Sequence, residues 1–331
     1  SCYLYIHHGV YIHSNNAMKY NNLWEYIMKI NKKIQAIYDK IIKAMETGAE
    51  WSRSWTEMGM GLPKNPCSKI TYRGMNTFIL LFELQDKDYP VNNWATYIQW
   101  KKAGRIIPQD TKGVDLIKWK VVHKKDENGN ETDETYGFYN AFTVFNESQL
   151  EGYEPPVETD EQVSEFAIQW KVEEYVQNTN ASVKYSETGG AFYHPKLDYI
   201  NMPNKTRFFD TKDSDAEGNY YATLLHELVH WTGAEDRCNR SGVSTKGKDK
   251  DIDDTFRGSY AFEELVAELG ATILSVQLGV EVEPVANHSA YLNNWLKSLK
   301  NDPSAMMTAF SKSTKAIMYL DDMQSKKKAV A

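Results

Sequence analysis

The feature that most constrains the fold is the pentapeptide His226-Glu227-Leu228-Val229-His230. Its two histidines are four residues apart, so on an α-helix they lie one turn apart on the same face and can bind the same metal ion. The large apolar and aromatic residues of this segment fall on the opposite face of such a helix, and they are Tyr221, Leu224, Leu228 and Trp231. The chain must therefore bury one face of this helix and leave space for an ion at the other.

A catalytic zinc ion has three protein ligands and keeps a fourth position for water, so a further acidic residue or histidine is required. We select Glu264, on a helix predicted over residues 260–278, because neighbouring alanines allow a partner helix to approach closely. Glu263 remains the alternative, since adjacent helical residues point about 100° apart and the helical phase is known no better than that. Glu268, one turn further on, is expected to accept a hydrogen bond from a liganding histidine. The prediction is one Zn²⁺ per chain.

The residue types around this site indicate peptide-bond hydrolysis. Glu227 directly follows the first histidine, where a carboxylate can take a proton from metal-bound water and pass it to a leaving amine. Tyr260, His194 and Tyr291 are weaker candidates for stabilising the oxyanion that forms during hydrolysis. Residues of these types are more often ordinary packing or hydrogen-bonding residues.

Composition excludes a membrane protein and favours the cytoplasm. Hydrophobic residues make up 41% and charged residues 25% of the chain, and no apolar run approaches the roughly 18 residues of a membrane helix. The 3 cysteines are widely spaced and form no CxxC motif, so they indicate a reducing compartment.

A chain of 331 residues is most simply divided into two domains, each with its own core. The predicted fold class is α+β, in which the first domain contains an amphipathic helix and a strand pair around the Asn128-Gly129 turn. The second domain is predicted to be mostly helical, with a small sheet. The predicted divisions are a tag or leader at 1–17, a basic domain at 18–150, a linker at 151–159 and the metal-binding domain at 160–331.

Positive charge is concentrated in the first half of the chain. Residues 18–125 contain 19 Lys and Arg but only 10 Asp and Glu, although the whole chain has a net charge of −7. Cations beside aromatic rings are what single-stranded nucleic acid requires, for its phosphates and bases respectively. The candidate DNA-binding residues are Arg73, Trp100, Lys101, Lys102, Arg105, Lys118, Trp119 and Lys120. Aromatic residues at such spacing are more often part of a core.

Several segments resemble the plasmid antirestriction protein ArdC family. The resemblance extends from about residue 31 to residue 302, and its sharpest parts lie around the two predicted metal-binding helices. The segments are YATLLHELVHWTG (221–233), YAFEELVAELG (260–270), residues 291–302, GLPKN (61–65), YRGMN (72–76) and FN (145–146).

The resemblance implies an N-terminal domain that binds single-stranded DNA and a C-terminal zincin-like metallopeptidase domain. It also implies action during conjugation, when a mobile element enters a host that has restriction enzymes. Two segments depart from the family pattern. Residues 110–115 read DTKGVD in place of a basic turn, and the polar segment 242–254, expected as a surface loop, lengthens the connection between the two metal-binding helices.

Two alternatives remain open. The chain could be a non-catalytic protein that coats single-stranded DNA and has a structural zinc site, or a site-specific peptidase that cleaves a regulator protein. Glu227 argues against the first alternative, because a structural zinc site needs no general base. The expected partners are single-stranded DNA and an unknown protein substrate, without a membrane.

Overall fold

The computed structural model describes residues 32–47, 60–125, 131–155, 165–211, 214–244, 259–280 and 289–328. The helices within these ranges are α1 (Lys32–Thr47), α2 (Met75–Asp86), α3 (Tyr97–Lys102), α4 (Glu165–Thr179), α5 (Ala216–Trp231), α6 (Tyr260–Leu278), α7 (Ser289–Asn301) and α8 (Pro303–Lys328). The strands are β1 (Lys64–Asn65), β2 (Ile70–Thr71), β3 (Trp94–Thr96), β4 (Val114–Lys125), β5 (Glu131–Asn146), β6 (Val183–Ser186), β7 (Phe192–His194) and β8 (Tyr199–Pro203).

The N-terminal half is built on a three-stranded antiparallel sheet in the order β3-β5-β4. β4 and β5 pair from Val114–Val144 towards the Lys125–Glu131 end, as expected for a hairpin, although the predicted Asn128-Gly129 turn lies outside the described residues. The apolar residues of α1 recur every three or four positions, and Ile34, Ile37 and Ile41 are all buried. Helix and sheet thus share one apolar layer.

The C-terminal half combines helices with a three-stranded sheet in the order β6-β8-β7. β6 runs parallel to β8, whereas β7 pairs with β8 in the antiparallel direction. β7 is therefore an edge strand within the described part of the chain. The fold is the predicted one, two α+β domains, the second mainly helical.

The apolar core continues from one half into the other. Sequence considerations predict a separate core for each domain, but the Phe78 ring of α2 packs edge-on against Phe310 of α8, with centroids 5.0 Å apart. The Tyr38 hydroxyl of α1 donates a hydrogen bond of 2.6 Å to the Leu299 carbonyl of α7. The two halves are consequently joined by buried contacts and not only by the chain between them.

None of the helices in the described ranges combines the length and apolar character needed to cross a bilayer.

Candidate metal centre

The helices α5 and α6 position the candidate metal ligands. Asp215 caps α5 by accepting a hydrogen bond from the Gly218 amide at 2.6 Å, and Ser259 caps α6 through the Phe262 amide at 3.2 Å. The two helices approach closely at Gly270, where a Cβ would lie 2.9 Å from a Val229 methyl group. This close approach sets the histidine face of α5 against the acidic first half of α6.

Three side chains converge between these helices. The Nε2 atoms of His226 and His230 are 3.0 Å apart. Glu264 places one carboxylate oxygen 3.4 Å from the His226 Nε2 and the other 3.4 Å from the His230 Nε2. The three ligand atoms lie within 4.8 Å of one another, and Glu263, the alternative ligand from the sequence, is not part of this group.

The far nitrogen of each histidine faces a carboxylate. His226 Nδ1 is 3.2 Å from Glu268, and His230 Nδ1 is 3.2 Å from Glu263. When both Nδ1 atoms donate their protons outward, both Nε2 lone pairs point towards Glu264. Three electron-pair donors then face one point, where they repel one another unless a cation lies between them. The arrangement fits a metal ion, and two imidazole nitrogens with one carboxylate oxygen are a ligand set that suits zinc.

Arg240 also belongs to this site, although no sequence pattern predicts it. It is buried, 4% exposed, and donates to Glu263, which is 2% exposed, at 2.7 and 2.8 Å. It also donates to the Thr232 hydroxyl at 2.8 Å and to the Val229 carbonyl at 2.6 Å. Arg240 therefore fixes the carboxylate that holds His230.

The carboxylates control the protonation of the two histidines. Burial alone lowers the pKa of His226, but the charge of Glu268 and the hydrogen bond with Glu264 outweigh it and raise the pKa well above 6.5. The pKa of His230 is raised in the same way, against burial, by Glu263 and Glu264. Burial raises and Arg240 lowers the pKa of Glu263, and the net direction is downward. The carboxylates thus favour the protonated histidines, and a metal ion would compete with these protons for the ring nitrogens.

The ligand group opens into a cleft of about 190 Å³. Glu227, Tyr260 and Val243 line this cleft. Val243 belongs to the segment 242–254, which the sequence predicts to be a surface loop, but its side chain is buried. The rest of that segment, from residue 245, lies outside the described residues. β7 supplies the opposite wall, through Phe192 and Tyr193.

The three oxyanion candidates lie in different places. The Tyr260 ring lies parallel to the His230 ring, with centroids 6.4 Å apart, and lines the cleft. His194 does not line the cleft, because its ring stacks on Tyr199 and its Nδ1 accepts a hydrogen bond from the Leu197 amide at 3.2 Å. The side chain of Tyr291 is outside the described residues.

The prediction that DNA bases stack on Trp100 is wrong, because the side chain is buried. It is 4% exposed, its indole donates a 3.1 Å hydrogen bond to the Phe145 carbonyl, and it packs with Ala95 and Leu150. The exposed ring on α3 is Tyr97, at 52%. The predicted cations Arg73, Lys101, Lys102, Lys118 and Lys120 are exposed and Arg105 is half-buried, whereas the side chain of Trp119 lies outside the described residues.

Two families of known proteins match this chain. Residues 31–145 match the N-terminal domain of anti-restriction factor ArdC, and residues 170–312 match a zincin-like metallopeptidase family. The metal-free crystal structure of antirestriction protein ArdC from the R388 plasmid is similar, with a TM-score of 0.69 and 29% identity over 88% of this chain and 97% of that one. Its Mn(II)-bound structure has a TM-score of 0.67, again at 29% identity, over 87% and 97% of the two chains.

Two curated proteins give further matches. DNA primase TraC of Escherichia coli is 30% identical over 83% of this chain but only 26% of its own length, so the chain spans about a quarter of that primase. Protein y4eC of Sinorhizobium fredii is 28% identical over 88% of this chain and 92% of that one. The y4eC match, unlike the TraC match, extends over nearly the whole of both chains.

The fold and the site define a two-domain protein with a zincin-like metallopeptidase domain in its C-terminal half. The N-terminal half matches the domain that precedes it in ArdC. The chain therefore belongs to the ArdC family of antirestriction proteins.

Proposed function

We propose that this chain is a zinc-dependent peptidase that also binds single-stranded DNA, and that it protects incoming DNA from restriction in the cytoplasm of a recipient cell. The observation that carries the proposal is the convergence of His226, His230 and Glu264 beside Glu227 in one cleft. A site with a purely structural role would not need a carboxylate beside the ligands and facing an open cleft. Family membership supports the antirestriction role.

The proposed mechanism assigns one task to each residue. His226, His230 and Glu264 would hold the zinc ion, which supplies an activated water and polarises the substrate carbonyl. Glu227 accepts the proton of the attacking water and delivers it to the leaving amine nitrogen. The Tyr260 hydroxyl, in the same cleft, is the candidate donor to the carbonyl oxygen as that oxygen gains negative charge.

The edge strand β7 is where an extended peptide would lie. It pairs with β8 along one side only, within the described residues, and its Phe192 and Tyr193 form a wall of the metal cleft. A peptide added along the other side would satisfy backbone hydrogen bonds on both chains. Its scissile bond would thereby be held next to the metal ligands.

The proposed single-stranded DNA surface lies on the N-terminal half. Tyr97 is exposed on α3 and is followed on the same short helix by the exposed Lys101 and Lys102. A ring for a base and cations for the phosphates occur together there, as single-stranded DNA requires. Lys118 and Lys120 on β4 add exposed positive charge to the same half.

The decisive variant is Glu227→Gln, which keeps the side-chain volume and removes the proton acceptor. Zinc content should stay at the parental level, because Glu227 is not among the converging ligands. Peptide cleavage should fall by about a hundredfold or more, the usual contribution of a general base. Candidate substrates are identified by comparing cleaved host proteins in cells that express the parent or the variant.

The same variant distinguishes the peptidase from a DNA-coating protein. Protection during DNA transfer is measured for the parent, for Glu227→Gln and for Tyr97→Ala. If Glu227→Gln protects as well as the parent while Tyr97→Ala does not, protection comes from coating DNA and the peptidase-centred proposal is wrong.

A further inference from the structure

A second cavity lies between the two domains, away from the metal cleft. Its volume is about 300 Å³, and its walls come from β1, β2 and residues 71–77 on one side and from α6 and α8 on the other. It shares no lining residue with the metal cleft. A cavity of this size is at the lower end of the range that holds small ligands, typically about 300–1,000 Å³.

The rim of this cavity on the N-terminal side is cationic. Lys64 and Arg73 line it, both are exposed, and neither forms an ion pair with another described residue. A guanidinium can donate two parallel hydrogen bonds to a phosphate group, and an adjacent ammonium adds charge. The rim therefore suits an anionic group that carries several acceptor oxygens.

The opposite side of the cavity is apolar, with two acceptors set into it. Ile273, Ile317 and Met318 provide the apolar surface. The Gln277 amide donates to one Asp321 oxygen at 2.8 Å, which orients the amide and leaves its own oxygen as an acceptor. Asp321 accepts a second bond from the Tyr175 hydroxyl at 2.9 Å at that same oxygen, so its other oxygen is a further acceptor.

We propose that this cavity binds a nucleoside phosphate. The phosphate lies at Lys64 and Arg73, the base lies on the apolar surface, and its exocyclic amine donates to Asp321 or Gln277. Bases with an exocyclic amine are thereby preferred over thymine. A free nucleotide and one nucleotide of a DNA strand offer the same chemistry, and the inference does not depend on DNA binding at α3.

Such a ligand would connect the two domains. It would contact α6 at Ile273 and Gln277, while the same helix carries Glu264 at its other end.

The test compares dAMP with dTMP by isothermal titration calorimetry on the full chain, and oligo-dA with oligo-dT strands of about 12 nucleotides by fluorescence anisotropy. The expected affinity for dAMP exceeds that for dTMP by about tenfold, the effect of one hydrogen bond to a charged group. Arg73→Gln should weaken nucleotide binding by about tenfold. Asp321→Asn should reduce the preference for adenine, because the charged acceptor is lost.

Two further variants keep the test interpretable. Met318→Glu places a negative charge in the C-terminal wall, at a side chain that is 39% exposed, and should also weaken binding. Lys196→Gln removes an exposed cation outside the cavity and should change nothing. If only the strands bind, and Arg73→Gln and Met318→Glu weaken them, the ligand is a nucleotide of DNA. If strands bind equally to all variants and dAMP does not bind, the cavity inference is overturned while DNA binding at α3 stands. If neither ligand binds the parent, both are overturned.

Discussion

The buried ion pair of Arg240 and Glu263 allows its effect on stability to be distinguished from its effect on zinc affinity. Arg240→Met removes the guanidinium partner of the Glu263 carboxylate, which stays buried because the two side chains are only 4% and 2% exposed. Breaking such a pair typically costs about 3–5 kcal/mol in the free energy of unfolding. We expect that loss in urea denaturation of the metal-free protein, followed by tryptophan fluorescence.

The double variant Arg240→Met with Glu263→Met removes both charges and should recover at least about half of that loss, because no uncompensated charge stays buried. Its zinc affinity should nevertheless remain about 10- to 100-fold below the parental value, because His230 has lost the carboxylate that orients it. Competition with a chelator measures this affinity. A double variant that binds zinc as tightly as the parent would refute the positioning role of Glu263. A single variant that loses less than about 1 kcal/mol would show that the pair behaves like a surface ion pair.

Three other outcomes follow from the structure. Gly270→Ala should push α5 and α6 apart, because the added methyl group meets Val229. The free energy of unfolding should fall by about 1–3 kcal/mol, and the affinity for zinc should fall as well. Parental values in a thermal melt and a chelator titration would contradict the close contact between the helices. Trp100→Ala should destabilise the protein by about 3–5 kcal/mol, because it removes a buried side chain. Tyr97→Ala should leave the melting temperature unchanged and weaken single-stranded DNA binding by about 1–3 kcal/mol. The reverse pattern in thermal melts and fluorescence anisotropy would show that Trp100 is the stacking residue. The metal-free protein should lose stability as pH rises above 6.5, because the cleft histidines have raised pKa values and their contribution, complete below 6.5, is lost as they deprotonate. Zinc should reverse this trend in melts from about pH 6 to about pH 9, and a flat metal-free profile would mean that the carboxylates do not hold the protons.

The sequence predicts most where a periodic pattern meets clear end signals. α6 begins and ends where predicted, because Ser259 caps it and Gly279, in the left-handed region at φ 84°, ends it. The same periodicity selects Glu264 for the convergence and Glu268 for the outer contact. Periodicity does not reveal, however, that α6 is enclosed on all faces, with residues 262–276 all buried.

The features that the sequence does not predict depend on distant or very short segments. Arg240 lies in a loop, and its partner Glu263 is 23 residues away, so no helical or strand period connects them. α3 has 6 residues, too few for periodicity to show that Trp100 points inward and Tyr97 outward. The continuous core depends on the contact of Phe78 with Phe310, which only the assembled chain reveals.

The burial of α6 also limits how this protein can diverge. A helix enclosed on every side cannot change one residue without disturbing its neighbours, so the chemistry it carries is expected to be inherited almost unaltered. The wall formed by β7 is less restricted, because β7 is an edge strand within the described residues. If the cleft is the proposed peptidase site, its choice of target would therefore change more readily at β7 than its metal ligands on α5 and α6.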